Sequence, residues 1–580
     1  GTCVTVRHAD APAVKKTDDG VLISWNRPCE FFRMLSYLPG VLDGAEDVSE
    51  NKRYSLLCYM ADQSRNAVFT MGGAKKMLRY LAVLGFDSMM LYTEDTYELP
   101  EYPYFGYLRG RWTKEELKAL DTYADMLGIE LIPCVQMLAH LETALRWPGL
   151  GDIHDIDDIL MVGEEKTYAY AEAVLRTCAE CFRSRRINLG MDEAHNLGRG
   201  RYLEKHGYRP SSELMLEHLE RIVPMCKKYG FSPMIWSDMF FRMAFGGRYY
   251  LSEGDIPKDV RDRVPEGLTL IYWDYYNPNR AVVDHMVKSH KQFHNPTAFA
   301  GGAWKWSGFS ADNRLSLYVT PGQLDACEEY GLTDIIATGW GDNGGEASQF
   351  SNLPSLLYYA ERCYHGVADN ARLDLRSRAC FGLSFADLML FDAPKDGLIE
   401  EAGQMINPEK YLLYNDPLEG IFDRHMKEDA PVHFAENAKR LLAAKDNATF
   451  GRIFESLGRL CELLEVKCDL GIRLRRAYRA GDKKALSALR ETVAEAVRRL
   501  DVFRLAFRRA WMEENRPFGF ATQDVRLGGL RTRLIECTEM IDEYLDGKRE
   551  RIEDLDEDIL LCAMSNNNSL AVVTDADRFA

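Results

Sequence analysis

The stretch INLGMDEAHNLGRGR (Ile187–Arg201) begins as an apolar run, breaks at Gly190, and then sets two acids side by side, Asp192 and Glu193. It is followed by SELMLEHLERIVPMCKKYG (Ser212–Gly230), with apolar residues at helical spacing, and by SPMIWSDM (Ser232–Met239), a second short apolar run. Strand, helix and strand in that order imply parallel pairing through a crossover. Burying one unpaired carboxylate is costly and burying two together is worse. The two acids therefore either cap a following helix or carry chemistry.

The same alternation extends in both directions. YSLLCYMAD (Tyr54–Asp62), DSMMLYTED (Asp87–Asp95) and IELIPCVQM (Ile129–Met137) precede it, and LTLIYWDYY (Leu268–Tyr276), TAFAGGAWKW (Thr297–Trp306) and DIIATGWGD (Asp334–Asp342) follow the fifth run. Four of the intervening helical runs end in Gly85, Gly128, Gly230 and Gly331, where a left-handed cap would stop them. Eight strand–helix units predict an α/β fold, a (β/α)8 TIM barrel over residues 51–365. Trp, Asp, Glu, His and Tyr gather at the carboxyl ends of the strands, the face on which such barrels carry their sites.

From residue 366 to 580 the strand signal fades. NAKRLLAAK (Asn437–Lys445), FGRIFESLGRLCELLEVKCDL (Phe450–Leu470) and later runs repeat apolar residues at three and four, so a carboxy-terminal α-helical domain is expected. Residues 1–50 contain GVLISWN (Gly20–Asn26) and too little else for a core of their own, and are expected to pack on the barrel. In WMEENRPFGF (Trp511–Phe520), Trp511, Phe518 and Phe520 interrupt a helical run. Exposed, they would promote association. The helical domain is thus expected to pack on the barrel or on a second subunit, with a homodimer as the expected assembly.

At 580 residues, 46% hydrophobic and 28% charged, the chain has a globular composition and exceeds one ordinary core. A net charge of -17 argues against nucleic acid or an anionic membrane as partner. No apolar segment is long enough to span a bilayer. The 14 cysteines are scattered, and the one close pair, Cys178 and Cys181, sits in a helical run without a second pair or a histidine at finger spacing. Buried core thiols are expected, with no metal, and no Gly-rich phosphate loop suggests a cofactor. With no secretory leader in the opening residues, a reducing, cytoplasmic location is the expectation.

Trp236, Trp273, Trp306 and Trp340 stand on four consecutive strand units. A single tryptophan there would simply pack a loop, but four predict an aromatic pocket for the C–H faces of sugar rings. Arg65 and Glu346 are suited to grip sugar hydroxyls at its edge. Two carboxylates in such a pocket suit glycoside hydrolysis. Neighbours on a strand point in different directions, which counts against an ordinary retaining pair, whose carboxyls stand about 5–5.5 Å apart across the bond.

These segments resemble glycoside hydrolase family 20, the exo-β-N-acetylhexosaminidases. GMDE (Gly190–Glu193) is similar to the family's Asp-Glu signature on the fourth strand, with Met191 where a second Gly often stands. DQSR (Asp62–Arg65) resembles its first-strand segment, and Arg109–His140 its second helix and third strand, which end on a histidine, here His140. The family's Pro-Glu is Pro133–Cys134 in this chain, so no role passes to that position. Trp340, Glu346 and LPSLLYYAE (Leu353–Glu361) resemble the closing segment, and WMEENRPFGF with VRLGGLRTRL (Val525–Leu534) the subgroup with a carboxy-terminal helical domain.

The resemblance implies substrate-assisted removal of terminal β-linked GlcNAc or GalNAc. Glu193 would be the general acid and base, and Asp192 would orient the acetamido group and stabilise the oxazolinium. Tyr275 would donate to the acetamido oxygen inside a box of Trp236, Trp273 and Trp340, although Tyr272 and Tyr276 stand close by. Arg65 and Glu346 would hold the outer hydroxyls, and His140 would orient the acids. The rival readings are a barrel glycosidase with Asp238 or Glu346 as a covalent nucleophile, and a non-catalytic carbohydrate-binding barrel.

Overall fold

The computed structural model describes residues 3–395 and 407–560. Eight parallel strands close into a barrel: β5 (Leu56–Asp62), β6 (Ser88–Tyr92), β7 (Glu130–Cys134), β10 (Arg186–Asn188), β11 (Ser232–Trp236), β12 (Thr269–Asp274), β13 (Thr297–Gly302) and β14 (Asp334–Gly339). Ahead of them lie β1 (Cys3–His8), β2 (Ala13–Thr17), β3 (Gly20–Trp25) and β4 (Val48–Ser49); β8 (His154–Ile156) and β9 (Ile159–Leu160) form a hairpin in the loop after β7. Every residue of β5 and β6 is buried, as strands covered on both faces require. The chain has the TIM barrel that the alternation predicts, followed by helices.

The regular strands are shorter than the apolar runs that announce them. The fourth is only three residues long and meets β7 through a single pair, Asn188 with Cys134. The acids quoted first therefore stand beyond the strand, in a turn, where ladder alternation no longer sets their direction.

The first 50 residues contain more structure than their sequence suggests. β1, β3, β2 and β4 form one sheet, and Val14, Val21, Ile23, Met34, Tyr37 and Val41 make a small apolar cluster under it. The expectation that this segment lacks a core is corrected: the helix Pro28–Leu35 lends Met34, and so completes what β2 and β3 cannot. That helix also drives the fully buried Arg33 into the foot of the barrel. Its guanidinium meets Glu50 at 2.6 Å and Glu361 at 3.0 Å, and its Nη1 donates to the Leu84 carbonyl. Arg372 reaches both acids at 2.6 Å, and Arg376 reaches Glu361. Burial opposes the charge on Glu50, but Arg33 overcomes it and holds the carboxyl down at about 2.

After the barrel come helices, including Asn370–Phe381, Pro408–Tyr414, Gly451–Lys467, Lys483–Glu514 and Phe520–Leu545. They pack on the barrel within the same chain. Phe309, in the loop after β13, meets Phe503 and Phe507 edge-on at 5.5 and 5.4 Å. Trp511 and Phe520 are buried, and only Phe518 is exposed. The aromatic turn that motivated a second subunit is thus largely covered by its own barrel, with Arg516 N donating to the Val68 carbonyl at 2.7 Å. Among the described residues no helix is long and apolar enough to cross a membrane.

Removing one member of the buried charge network leaves its partners uncompensated. Glu361→Gln is expected to cost about 3–5 kcal/mol, read as a lowered urea midpoint, whereas a substitution at the exposed Lys258–Asp262 pair is expected to change it little.

Candidate active site

Gly190, Met191 and Glu193 all take positive φ, at 72°, 69° and 54°. Both acids leave this turn within reach of one histidine, His140. A Cβ on Gly190 would stand 2.0 Å from Gln136 Oε1, so the position has no room for a side chain. Gln136 accepts from Met191 N and donates to Asp192 Oδ1 at 2.9 Å and to Tyr92 Oη at 3.0 Å. His140, itself at φ 55°, brings Nε2 to 3.3 Å from Asp192 and 3.9 Å from Glu193. Its backbone N–H donates to Asp158 at 2.7 Å, which fixes the bend.

The two acids occupy different electrostatic environments. Burial opposes the charge on Asp192, but His140 and Gln136 overcome it and keep the carboxyl below its ordinary range. Burial likewise works against His140, yet Asp192 pushes it up to about 10, so an imidazolium faces the carboxylate. Glu193 goes the other way. Partial burial, then the charges of Asp192 and Asp238, push it up to about 7. His140, and then Arg242 at 3.1 Å, restrain this rise.

Asp238, two residues past β11 and the first of the helix Asp238–Ala244, is fully buried and fully engaged. It accepts from Glu193 N at 3.1 Å, from Arg242 Nε at 2.9 Å and from Trp273 Nε1 at 3.3 Å. One buried carboxylate thereby fixes the backbone of Glu193, its arginine and a pocket wall.

An open pocket of about 440 Å³ lies above these groups. Arg65, His140, Asp192, Glu193, Trp236, Trp273, Tyr275 and Trp340, all singled out in the sequence, line it, together with Tyr276 and Asp342. Trp236 and Trp340 stand 5.7 Å apart at 53°, and Tyr275 stacks on Trp273 at 5.2 Å. Tyr272 is excluded: it is buried, and its hydroxyl donates to Asp274 at 2.8 Å. Arg65 lies over the Tyr92 and Trp340 rings, bonds Asp62 at 3.0 Å, and has Glu94 at 3.2 Å and Asp342 at 3.8 Å.

Two expectations are corrected. Trp306 is buried against Trp304, ring centroids 3.9 Å apart, and supports Tyr275 from behind instead of lining the pocket. Glu346 lies outside the pocket, its carboxylate paired with Lys410 at 2.7 Å and Arg526 at 3.1 Å. Of the three acids around Arg65, the one that lines the pocket is Asp342, two residues past Trp340. Tyr276, kept in the sequence as an alternative to Tyr275, lines the pocket beside it, whereas Arg242 and Gln136 were missed. The signal for Asp342 was available in GWGD; no period or motif points to Arg242, which reaches Glu193 from the helix Asp238–Ala244.

Residues 92–282 match the glycosyl hydrolase family 20 catalytic domain, and residues 384–573 match the Glycoside Hydrolase 20C C-terminal domain. The chain belongs to glycoside hydrolase family 20. Hexosaminidase D of Bos taurus is 26% identical over 353 residues, covering 53% of this chain and 92% of that protein. Hexosaminidase D of Homo sapiens is 24% identical over 237 residues, covering 37% and 45%. Among solved structures, a family 20 exo-β-N-acetylglucosaminidase from Vibrio harveyi in complex with N-acetylglucosamine has a TM-score of 0.51 at 14% identity, covering 66% of this chain and 68% of its own. A β-N-acetylhexosaminidase structure gives 0.51 at 14%, covering 66% and 92%. At such identities the likeness is one of fold. This family 20 chain is a glycoside hydrolase.

Gly190→Ala is expected to leave the fold intact and reduce glycosidase activity by about a hundredfold or more. Its Cβ must displace Gln136, and small misplacements of reacting groups cost on that scale. Circular dichroism alongside a rate assay would distinguish this from unfolding.

Proposed function

We propose that the chain is an exo-acting, retaining β-N-acetylhexosaminidase that removes terminal β-linked GlcNAc or GalNAc by substrate-assisted catalysis. The observation that carries this reading is the opposed pair: a carboxylate held charged by His140 and, beside it, a carboxyl raised to about 7. A group that must donate a proton near neutrality needs the second environment, and one that stabilises positive charge needs the first.

Glu193 protonates the leaving oxygen as the substrate's own acetamido oxygen attacks the anomeric carbon and the glycosidic bond breaks. Asp192 accepts the acetamido N–H and faces the oxazolinium charge. Glu193, now a carboxylate, takes a proton from the water that opens the ring, so two inversions give retention. Tyr275 donates to the acetamido oxygen, and Trp236, Trp273 and Trp340 enclose its methyl. Arg65 and Asp342 hold the outer hydroxyls, the role first given to Glu346, and His140 orients the acids.

The covalent rival finds less support. Asp238 is occupied by three donors, and Glu346 is buried away from the pocket. Free, mostly buried cysteines among the described residues fit the reducing, cytoplasmic location that belongs to this reading.

The enzyme is expected to cleave an aryl N-acetyl-β-glucosaminide and to leave the plain aryl β-glucoside untouched. Equal turnover of the two, or a sugar trapped on a protein carboxylate, would overturn the reading. Glu193→Gln should lose about 10²–10⁴-fold with poor leaving groups and less with activated aryl ones. Asp192→Asn should lose rate with every leaving group, and a thiazoline mimic should inhibit it weakly. Glu193 acts when protonated, so kcat/KM falls as pH rises through its pKa near 7. Arg242 lowers that pKa, so Arg242→Gln should move the alkaline limb to higher pH by about one unit.

A further inference from the structure

We propose that the carboxy-terminal helices are part of the sugar pocket: Lys410, Gln523 and Arg526 act as positioning residues for the loop after β14, setting Asp342 toward the substrate. The proposal rests on the reading above, in which Asp342 grips an outer hydroxyl.

The loop is conformationally unusual. β14 ends at Gly339, and Asn343, Gly344 and Gly345 then take φ of 62°, 137° and 67° in succession. Only Asn343 is strained there, but two glycines, free to take many backbone conformations, keep this path only where contacts hold it. At its beginning the barrel supplies the hold: Gly341 N donates to Asp62 Oδ2 at 2.9 Å, and Ser307 N to the Asp342 carbonyl at 3.0 Å.

From Asn343 onward the donors come from the helices. Lys410, on Pro408–Tyr414, donates to the Asn343 carbonyl at 3.0 Å, and Arg526, on Phe520–Leu545, donates to the same oxygen at 2.6 Å. Gln523 donates to the Gly344 carbonyl at 2.9 Å. Lys410 and Arg526 also hold the Glu346 carboxylate, which is wholly buried. A Cβ on Gly344 would lie 2.5 Å from Arg526 Nη1, so the arginine lies directly against the loop backbone. Asp342 sits between the barrel's hold and the helices' hold.

Adhesion of the helices does not require these contacts, because Phe309, Phe503, Phe507, Trp511 and Phe520 already provide an apolar interface. A buried cluster of Lys, Arg and Glu adds little net stability over apolar residues, since desolvation offsets its attraction. What it adds is register. Directional donors on two successive carbonyls fix where Asp342 stands opposite Arg65, its neighbour in the pocket at 3.8 Å.

The test is a double-mutant cycle in the full-length enzyme, with an aryl N-acetyl-β-glucosaminide as substrate. Arg526→Gln and Gln523→Met are each expected to raise KM and lower kcat/KM by about tenfold, with the pH of the alkaline limb unchanged. Both should lower the melting temperature, Arg526→Gln the more because it takes a cation from the buried Glu346, and the cycle separates that loss from positioning. Arg526→Lys, which keeps one donor, should recover part of the loss. In an Asp342→Ala background the same substitutions should cost less than about twofold, because the group they position is gone. Losses equal in both backgrounds, or full activity in both clamp variants, overturn the proposal. If Arg526→Gln does not fold, the Gln523→Met cycle decides alone. An Asp342→Ala enzyme with wild-type kcat/KM would instead show that Asp342 is no sugar contact, and the proposal would fall with that assignment.

Discussion

A carboxylate buried beside another carboxylate must be neutralised by its neighbours or lose its charge, and Asp192 keeps its charge. Much of the barrel's upper face follows from that requirement. It needs His140 as a cation, hence the bend at His140 and its tie to Asp158. It needs Gln136 as a donor, hence a residue without a side chain at Gly190. Burial raises the pKa of Glu193 first, and the charge so stabilised on Asp192 then adds to it, with Asp238. The ion pair thus keeps one acid charged, and burial with the charge of that acid holds up the pKa of the other.

The barrel was legible because its cause is local. Alternating apolar strands and amphipathic helices, with glycine after several helices, leave few ways to pair, and eight units close the sheet. The pocket was legible where side chains sit at strand ends, as with Trp236 and Trp273, or in motifs tied to the backbone, as with Asp192. Glu346 was misread because a sequence gives no sign of which acid after Trp340 faces inward. That depends on three left-handed residues and on helices more than 60 residues away. Trp306 was misread for a related reason: beyond Gly302 the chain leaves the strand, and alternation no longer governs which ring faces the cavity.

Arg242 and Gln136 illustrate a further limit. Each acts by meeting a backbone or carboxylate contributed by another strand unit, and neither belongs to a motif. Their residue types are common on any surface, so only the fold distinguishes them. The small core under the first sheet is similar, since no single run in residues 1–50 is apolar enough to announce it.

The charge network around Arg33 bears on the order in which the molecule can be assembled. Arg33 and Glu361 are 328 positions apart in the chain, yet each is a principal partner of the other. Contacts of such long separation pay their loop-closure entropy late and slow folding. As the chain emerges from the ribosome, Arg33 waits without Glu361 until the last barrel helix has been made. The upper face waits longer still, because the loop beside Arg65 is completed only when Glu514 reaches Thr70 and Arg526 reaches Asn343. The barrel can therefore close its strands before either end is finished, and the pocket that Arg65 and Asp342 line draws on chain made well after the last strand.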